Sequence, residues 1–122
     1  MTGKLHTWSR TAKYYRDLGW FVVKAEYTAR GRRHDFLGFI DGMALGDREM
    51  IGLQACGGSD FAEHRRKILG PCRRTALLWL KAGNQIHLVG WRQIGKPKKW
   101  TPRIEEITLA DFETETKQGE SK

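Results

Sequence analysis

Residues 36–56, FLGFIDGMALGDREMIGLQAC, decide how this chain folds. Two apolar runs, Phe36 through Leu45 and Met50 through Cys56, are split by the turn signal Gly46-Asp47, so the pair reads as a β-hairpin. Alternation along the second run sends Gln54 and Cys56 to one face of a sheet, about 7 Å apart, and Ile51, Leu53 and Ala55 to the other. One acid, Asp41, stands inside the first run. A carboxylate in such a setting is costly to desolvate, so it must be paired, exposed at a strand end or bound to a metal. Gln54 holds the corresponding place on the next strand, and the two side chains can point into one shared site.

Upstream of the hairpin, Thr7 and Ser9 offer N-caps, and Trp8, Ala12, Tyr15 and Leu18 recur near helical spacing. Gly19 suits the C′ position that ends this helix. Trp20 through Val23 reads as a strand ending near Glu26, and residues 27–34 read as a basic, glycine-containing loop. Downstream, Gly57-Gly58 breaks the strand and Ser59 is an N-cap for a helix over 60–69. Pro71 then fits N1 of a further helix through Lys81. Ile86 through Trp91 is a strong strand, and Arg103 through Leu109 alternates as an edge strand. The order is helix, three strands, two helices, two strands. A hairpin followed by a helical crossover to another strand implies an α/β fold, a central mixed β-sheet flanked by helices. Residues 1–112 read as one domain and 113–122 as a polar tail.

Twenty-two Lys and Arg against fourteen Asp and Glu give a net charge of +8. The excess gathers in clusters: Arg30, Arg32 and Arg33; Arg65, Arg66 and Lys67; Arg73 and Arg74; and Arg92 through Arg103. The last of these carries Lys96, Lys98 and Lys99 beside Trp100. Cationic stems interleaved with aromatics suit phosphate neutralisation and base stacking, so nucleic acid is the expected partner. The bland alternative is a solvated basic surface that aids solubility. No run approaches the roughly 18 apolar residues of a membrane span, and MTGKLHTWSR lacks the apolar core of a secretory signal. Cys56 and Cys72 lack metal-ligand spacing and suit a reducing, cytoplasmic setting. There is no phosphate-binding loop of the P-loop type, so ATP use is not implied.

The run GFIDGMAL, a short turn, MIGLQAC and a following helix resembles the core of the PD-(D/E)XK nucleases. The likeness is strongest to Holliday-junction resolvases and to the restriction-enzyme branch whose second motif reads Gln-x-Lys. It extends from the first helix to Trp91. The resemblance implies a restriction-endonuclease-like fold and a Mg²⁺- or Mn²⁺-dependent DNA endonuclease, of phage or mobile-element type, acting on structured or branched DNA. It gives Asp41 the place of the motif aspartate and Gln54 that of the Glu/Gln ligand. Glu26 stands where such enzymes often have an additional acid, and Asp35 is a further candidate metal ligand. Apart from the resemblance, a lone sheet domain of this size often dimerises to cut two strands, so a homodimer is a further expectation.

The departure is Cys56, where that family carries lysine. A thiol cannot copy a cation that orients the attacking water and stabilises charge. Two expectations follow. In one, the cation moves to the helix after Gly58, where Arg65 falls near the centre of the apolar arc and needs a carboxylate or phosphate partner. Lys67 has the more usual chemistry but lies on the outer side of the wheel. In the other, the fold persists as a catalytically inactive nucleic-acid-binding or inhibitory protein. Arg30, Arg32, Arg33, Lys96, Lys98, Lys99 and Trp100 are the expected nucleic-acid contacts in both.

Overall fold

The structure, a computed structural model, describes residues 3–113; the tail expected over 113–122 lies, from residue 114, outside the described residues. The elements are α1 (Gly3–Asp17), β1 (Phe21–Lys24), β2 (Tyr27–Ala29), β3 (Arg32–His34), β4 (Gly42–Gly46), β5 (Glu49–Gly57), α2 (Phe61–Leu69), α3 (Arg73–Lys81), β6 (Gln85–Ile94) and β7 (Lys99–Ile107). Five strands form one mixed sheet in the order β1-β4-β5-β6-β7. The expected hairpin is β4–β5, with Gly42 opposite Leu53 and Gly46 opposite Glu49. The α2–α3 crossover carries the chain from β5 to β6, which pair in parallel, and every other neighbour in this sheet is antiparallel.

Alternation along β5 divides the core as its sequence requires. Ile51 and Leu53 join Ala12, Tyr15, Val22, Ala44, Val89 and Trp91 beneath α1. Cys56 joins Phe39, Ile40, Phe61, Ile68, Leu69, Ala76, Ile86 and Leu88 on the side of α2 and α3. Leu53, Ile68 and Leu88 are completely buried, each contributing on the order of 1.5–3 kcal/mol by removal from water. The indole N–H groups buried with them have partners: Trp91 Nε1 donates to Thr11 Oγ1 at 2.9 Å and Trp79 Nε1 to the carbonyl of Gln85 at 2.7 Å.

Several boundaries differ from the sequence expectation. The first helix starts at Gly3, so Thr7 and Ser9 are interior rather than caps. The Thr11 hydroxyl donates to the Thr7 carbonyl one turn back, at 2.7 Å. The strand expected over 36–45 begins only at Gly42. Leu37 and Gly38 both take positive φ, curling the preceding residues into a turn closed by reciprocal 2.9 Å bonds between Phe36 and Ile40. That turn drops Phe39 and Ile40 into the core. Ser59 lies within a 3₁₀ turn, Gly58–Asp60, and Asp60 precedes α2 without a side-chain capping bond. Pro71 falls two residues before α3 rather than at its first position.

The largest correction concerns residues 27–34, expected as a loop. They form a second hairpin, β2–β3, in which Tyr27 pairs with His34 and Ala29 with Arg32. Arg30 and Gly31 occupy its turn with φ of 54° and 75°, the left-handed pair that suits the twist of a two-residue hairpin. Asparagine usually fills the first of these positions, and arginine there concealed the signal. The basic segment after Trp91 is likewise more regular than expected: β6 and β7 stay paired out to Ile94 and Lys99.

Candidate metal and phosphate site

The two ends of the β2–β3 hairpin create the site. Glu26 immediately precedes Tyr27 and Asp35 immediately follows His34, so the hairpin register sets the two acids side by side at its base. Asp41 enters from the residue before β4. Together Glu26, Asp35 and Asp41 bring one carboxylate oxygen each to within 4.8 Å of one another, the one such cluster of possible metal ligands among the described residues. Three like charges this close repel, by roughly 3 kcal/mol per pair at an effective dielectric of about 20. Such a cluster needs positive charge nearby.

Asp41 is held most firmly. It is 2% exposed, and its Oδ2 accepts the backbone N–H of Ala55 at 2.8 Å and the side-chain amide of Gln54 at 3.0 Å. Asp41 and Gln54 therefore do meet, as the hairpin reading expected. Gln54 is 1% exposed, and its Oε1 has no hydrogen-bond partner among the described residues. A buried amide oxygen in that state is costly unless a donor or cation reaches it.

Two lysines approach the acids. Lys24, at the end of β1, places Nζ 3.0 Å from Glu26 Oε1, and Lys67, on α2, places Nζ 3.5 Å from Asp35 Oδ2. Lys67 thus leans toward the acidic cluster and not outward as the helical wheel suggested. Arg65 corrects the expectation in the opposite sense. It lies two residues away, about 200° around the helix, where its Nε binds Glu105 Oε2 at 2.8 Å and Nη2 binds Asp111 Oδ1 at 3.1 Å. Its predicted carboxylate partners exist, but they belong to β7 and the segment after it. Lys24 was missed in the sequence; its i, i+2 spacing from Glu26 at a strand end was the available signal.

Cys56 is buried beside this site, 4% exposed. Burial first, then the charges of Asp60 and Asp41, push its thiol up to about 12. It remains neutral at physiological pH and is neither a nucleophile nor a substitute for a cation.

The donor set fits a hard divalent cation: three carboxylates and an amide oxygen are all-oxygen ligands of the kind Mg²⁺, Mn²⁺ and Ca²⁺ prefer. The three carboxylates, within 4.8 Å of one another, would hold such an ion by side-chain movement toward it. Gln54 would contribute through Oε1.

The expected nucleic-acid contacts divide between two hairpins. Arg30, Arg32 and Arg33 are exposed on β2–β3, which rises directly from Glu26 and Asp35. Lys96, Lys98, Lys99 and Trp100 are exposed at the far end of β6–β7, with the guanidinium of Arg10 3.7 Å from the centre of the Trp100 ring. No helix among the described residues is long and apolar enough to cross a membrane. No protein-family model matches the chain, and neither a curated protein nor a solved structure gives a significant match.

Proposed function

We propose that this protein is a metal-dependent DNA endonuclease of the PD-(D/E)XK kind, with a restriction-endonuclease-like fold and a relocated lysine. The observation that carries the reading is the convergence of Glu26, Asp35 and Asp41 within 4.8 Å at the end of the central hairpin, with Lys67 Nζ 3.5 Å from Asp35. Acids from three separate segments, set against a buried amide oxygen and two ammonium groups, make sense for phosphodiester hydrolysis and little sense for stability alone.

When bound, Mg²⁺ or Mn²⁺ supplies Lewis acidity at the phosphate and lowers the pKa of its water. The chain's own groups do the rest. The Ala55 N–H and the Gln54 amide fix the Asp41 carboxylate, so that it need not reorganise during reaction. Lys67 and Lys24 offer ammonium groups to the charge that builds on the phosphoryl oxygens. Lys67 then performs from α2 the role that the resemblance assigns to position 56. Arg30, Arg32 and Arg33 hold the backbone on the hairpin above the acids and fix its register without reading sequence.

A second reading, a binding module without catalysis, is favoured by the neutral Cys56 thiol. Cleavage of duplex, single-stranded and branched DNA with Mn²⁺, Mg²⁺ or EDTA separates the two. The nuclease reading expects divalent-metal-dependent cutting, strongest on branched DNA; tight, salt-sensitive binding without cutting in any metal favours the second.

A further inference from the structure

A separate recess lies at the same end of the sheet, on the α1 side. Its volume is about 470 Å³, and it is lined by Arg10 of α1, the turn Gly57–Gly58–Ser59, Trp91 and Arg92 of β6, and Trp100 of β7. A second recess of about 270 Å³ continues along α1, sharing Arg10, Trp91 and Trp100 and adding Lys13 and Tyr14. The first falls within the range of about 300–1,000 Å³ usual for small-ligand sites.

We infer that this recess takes an unpaired nucleotide of a DNA strand, its base against the indole of Trp100 and its phosphate between Arg10 and Arg92. Three observations converge on that occupant. Trp100 is 46% exposed, and the Arg10 guanidinium 3.7 Å from its ring centre holds the indole in place. A large exposed aromatic fixed by a cation is a stacking platform, and stacking on it tolerates any base. The charge is one-sided: the first recess has two arginines and no carboxylate among its lining residues, while Asp17 in the second is bound by Lys13 at 2.7 Å. The recess also follows the acidic site along the chain. Ala55 donates to Asp41 and Gly57 lines the recess, two residues or about 7 Å further along an extended strand. Gly58 allows the turn to approach β6 there, because a Cβ would come within 3.1 Å of Arg92 Cβ and 3.3 Å of the Trp91 carbonyl.

The inference rests on the nuclease reading in taking the bound strand as substrate. It narrows the substrate class to DNA with unpaired nucleotides beside the cut, as at flaps and junctions. A base still paired in a duplex has no free face to offer the indole.

The test is fluorescence anisotropy in EDTA, which prevents cleavage, with a labelled dT oligomer of about ten nucleotides and a duplex of equal length. Trp100→Ala should weaken oligo-dT binding about tenfold while changing duplex binding by less than about twofold. Trp100→Phe should restore most of the loss, and Arg92→Ala should weaken oligo-dT binding in the same direction. Unchanged oligo-dT affinity in Trp100→Ala overturns the inference, as does equal displacement of oligo-dT by polyglutamate, which would mark a general polyanion surface. Tryptophan-dependent binding in a protein that cuts nothing with Mn²⁺ would sink the nuclease reading and leave the pocket standing.

Discussion

Lys67 on α2 reaches Asp35 at the foot of the β2–β3 hairpin, its Nζ 3.5 Å from Oδ2. This contact brings a cation to the acidic cluster from a different element than the strand carrying Gln54 and Cys56. Arg65, two positions earlier, is occupied by Glu105 and Asp111. Lys67 and Arg65 therefore have separable roles.

Lys67→Ala should lower the rate of DNA cleavage by about 10²–10³, the usual cost of removing one electrostatic stabiliser, with little change in melting temperature once Mn²⁺ supplies the positive charge the acids need. Arg65→Ala should do the reverse. Losing two ion pairs that are about one-third exposed should cost roughly 1–2 kcal/mol, with cleavage by the folded fraction retained. Parallel thermal melts and single-turnover rates on the two variants check the split.

Divalent metal should stabilise the wild-type fold, because binding only to the folded state shifts the equilibrium. At ten times the dissociation constant the gain is about 1.4 kcal/mol. Asp41→Asn keeps shape and removes one charge from the cluster, so it should melt at or above the wild-type temperature without metal. It should also lose most of the rise that Mn²⁺ produces. Differential scanning fluorimetry across a Mn²⁺ titration reads both effects.

The site also depends on a glycine beside it. A Cβ at Gly42 would collide with the ring of Trp8 and the carbonyl of Val23, and both lie where α1 and β1 cover the start of β4. Gly42→Ala should destabilise the protein by about 1–3 kcal/mol, as overpacking does. Its urea midpoint should fall while the slope of the transition is kept.

Stability should fall in mild acid, in part through one buried pair. The Tyr15 hydroxyl and His87 Nδ1 are 2.7 Å apart. Burial holds the His87 pKa below its usual value, against an opposing pull from Glu106, and burial likewise raises that of Tyr15. The pair is thus a neutral phenol hydrogen-bonded to a neutral imidazole. Since the unfolded chain takes up this proton first, the His87 contribution is complete above about pH 6.5 and is lost as pH falls toward the depressed folded value. Denaturant melts from pH 7.5 to pH 5 should show a shallower decline in His87→Gln than in the wild type.

Much of the frame was legible in the sequence. The period-two pattern of Ile51, Leu53 and Ala55 against Gln54 and Cys56 determined which side of β5 faces each helix layer. The Gly46-Asp47 turn put Asp41 opposite Gln54. What stayed hidden was long in reach or unusual in turn chemistry. Arg30 at a left-handed position disguised the β2–β3 hairpin, and with it the juxtaposition of Glu26 and Asp35. A helical wheel ranks residues by the apolar arc, whereas a lysine stem can cross that boundary sideways, as Lys67 does. The Arg10–Trp100 stack joins residues far apart in the chain, and no local pattern announces it.

The most direct test of the central claim is single-turnover cleavage of a labelled four-way DNA junction in Mn²⁺, with wild type and Asp41→Asn compared at equal junction occupancy. The wild type should cut the junction and Asp41→Asn should not, with junction affinity equal or slightly higher in the variant because a negative charge has gone. Equal cleavage by both proteins, or tight junction binding by the wild type without cleavage, would contradict the claim.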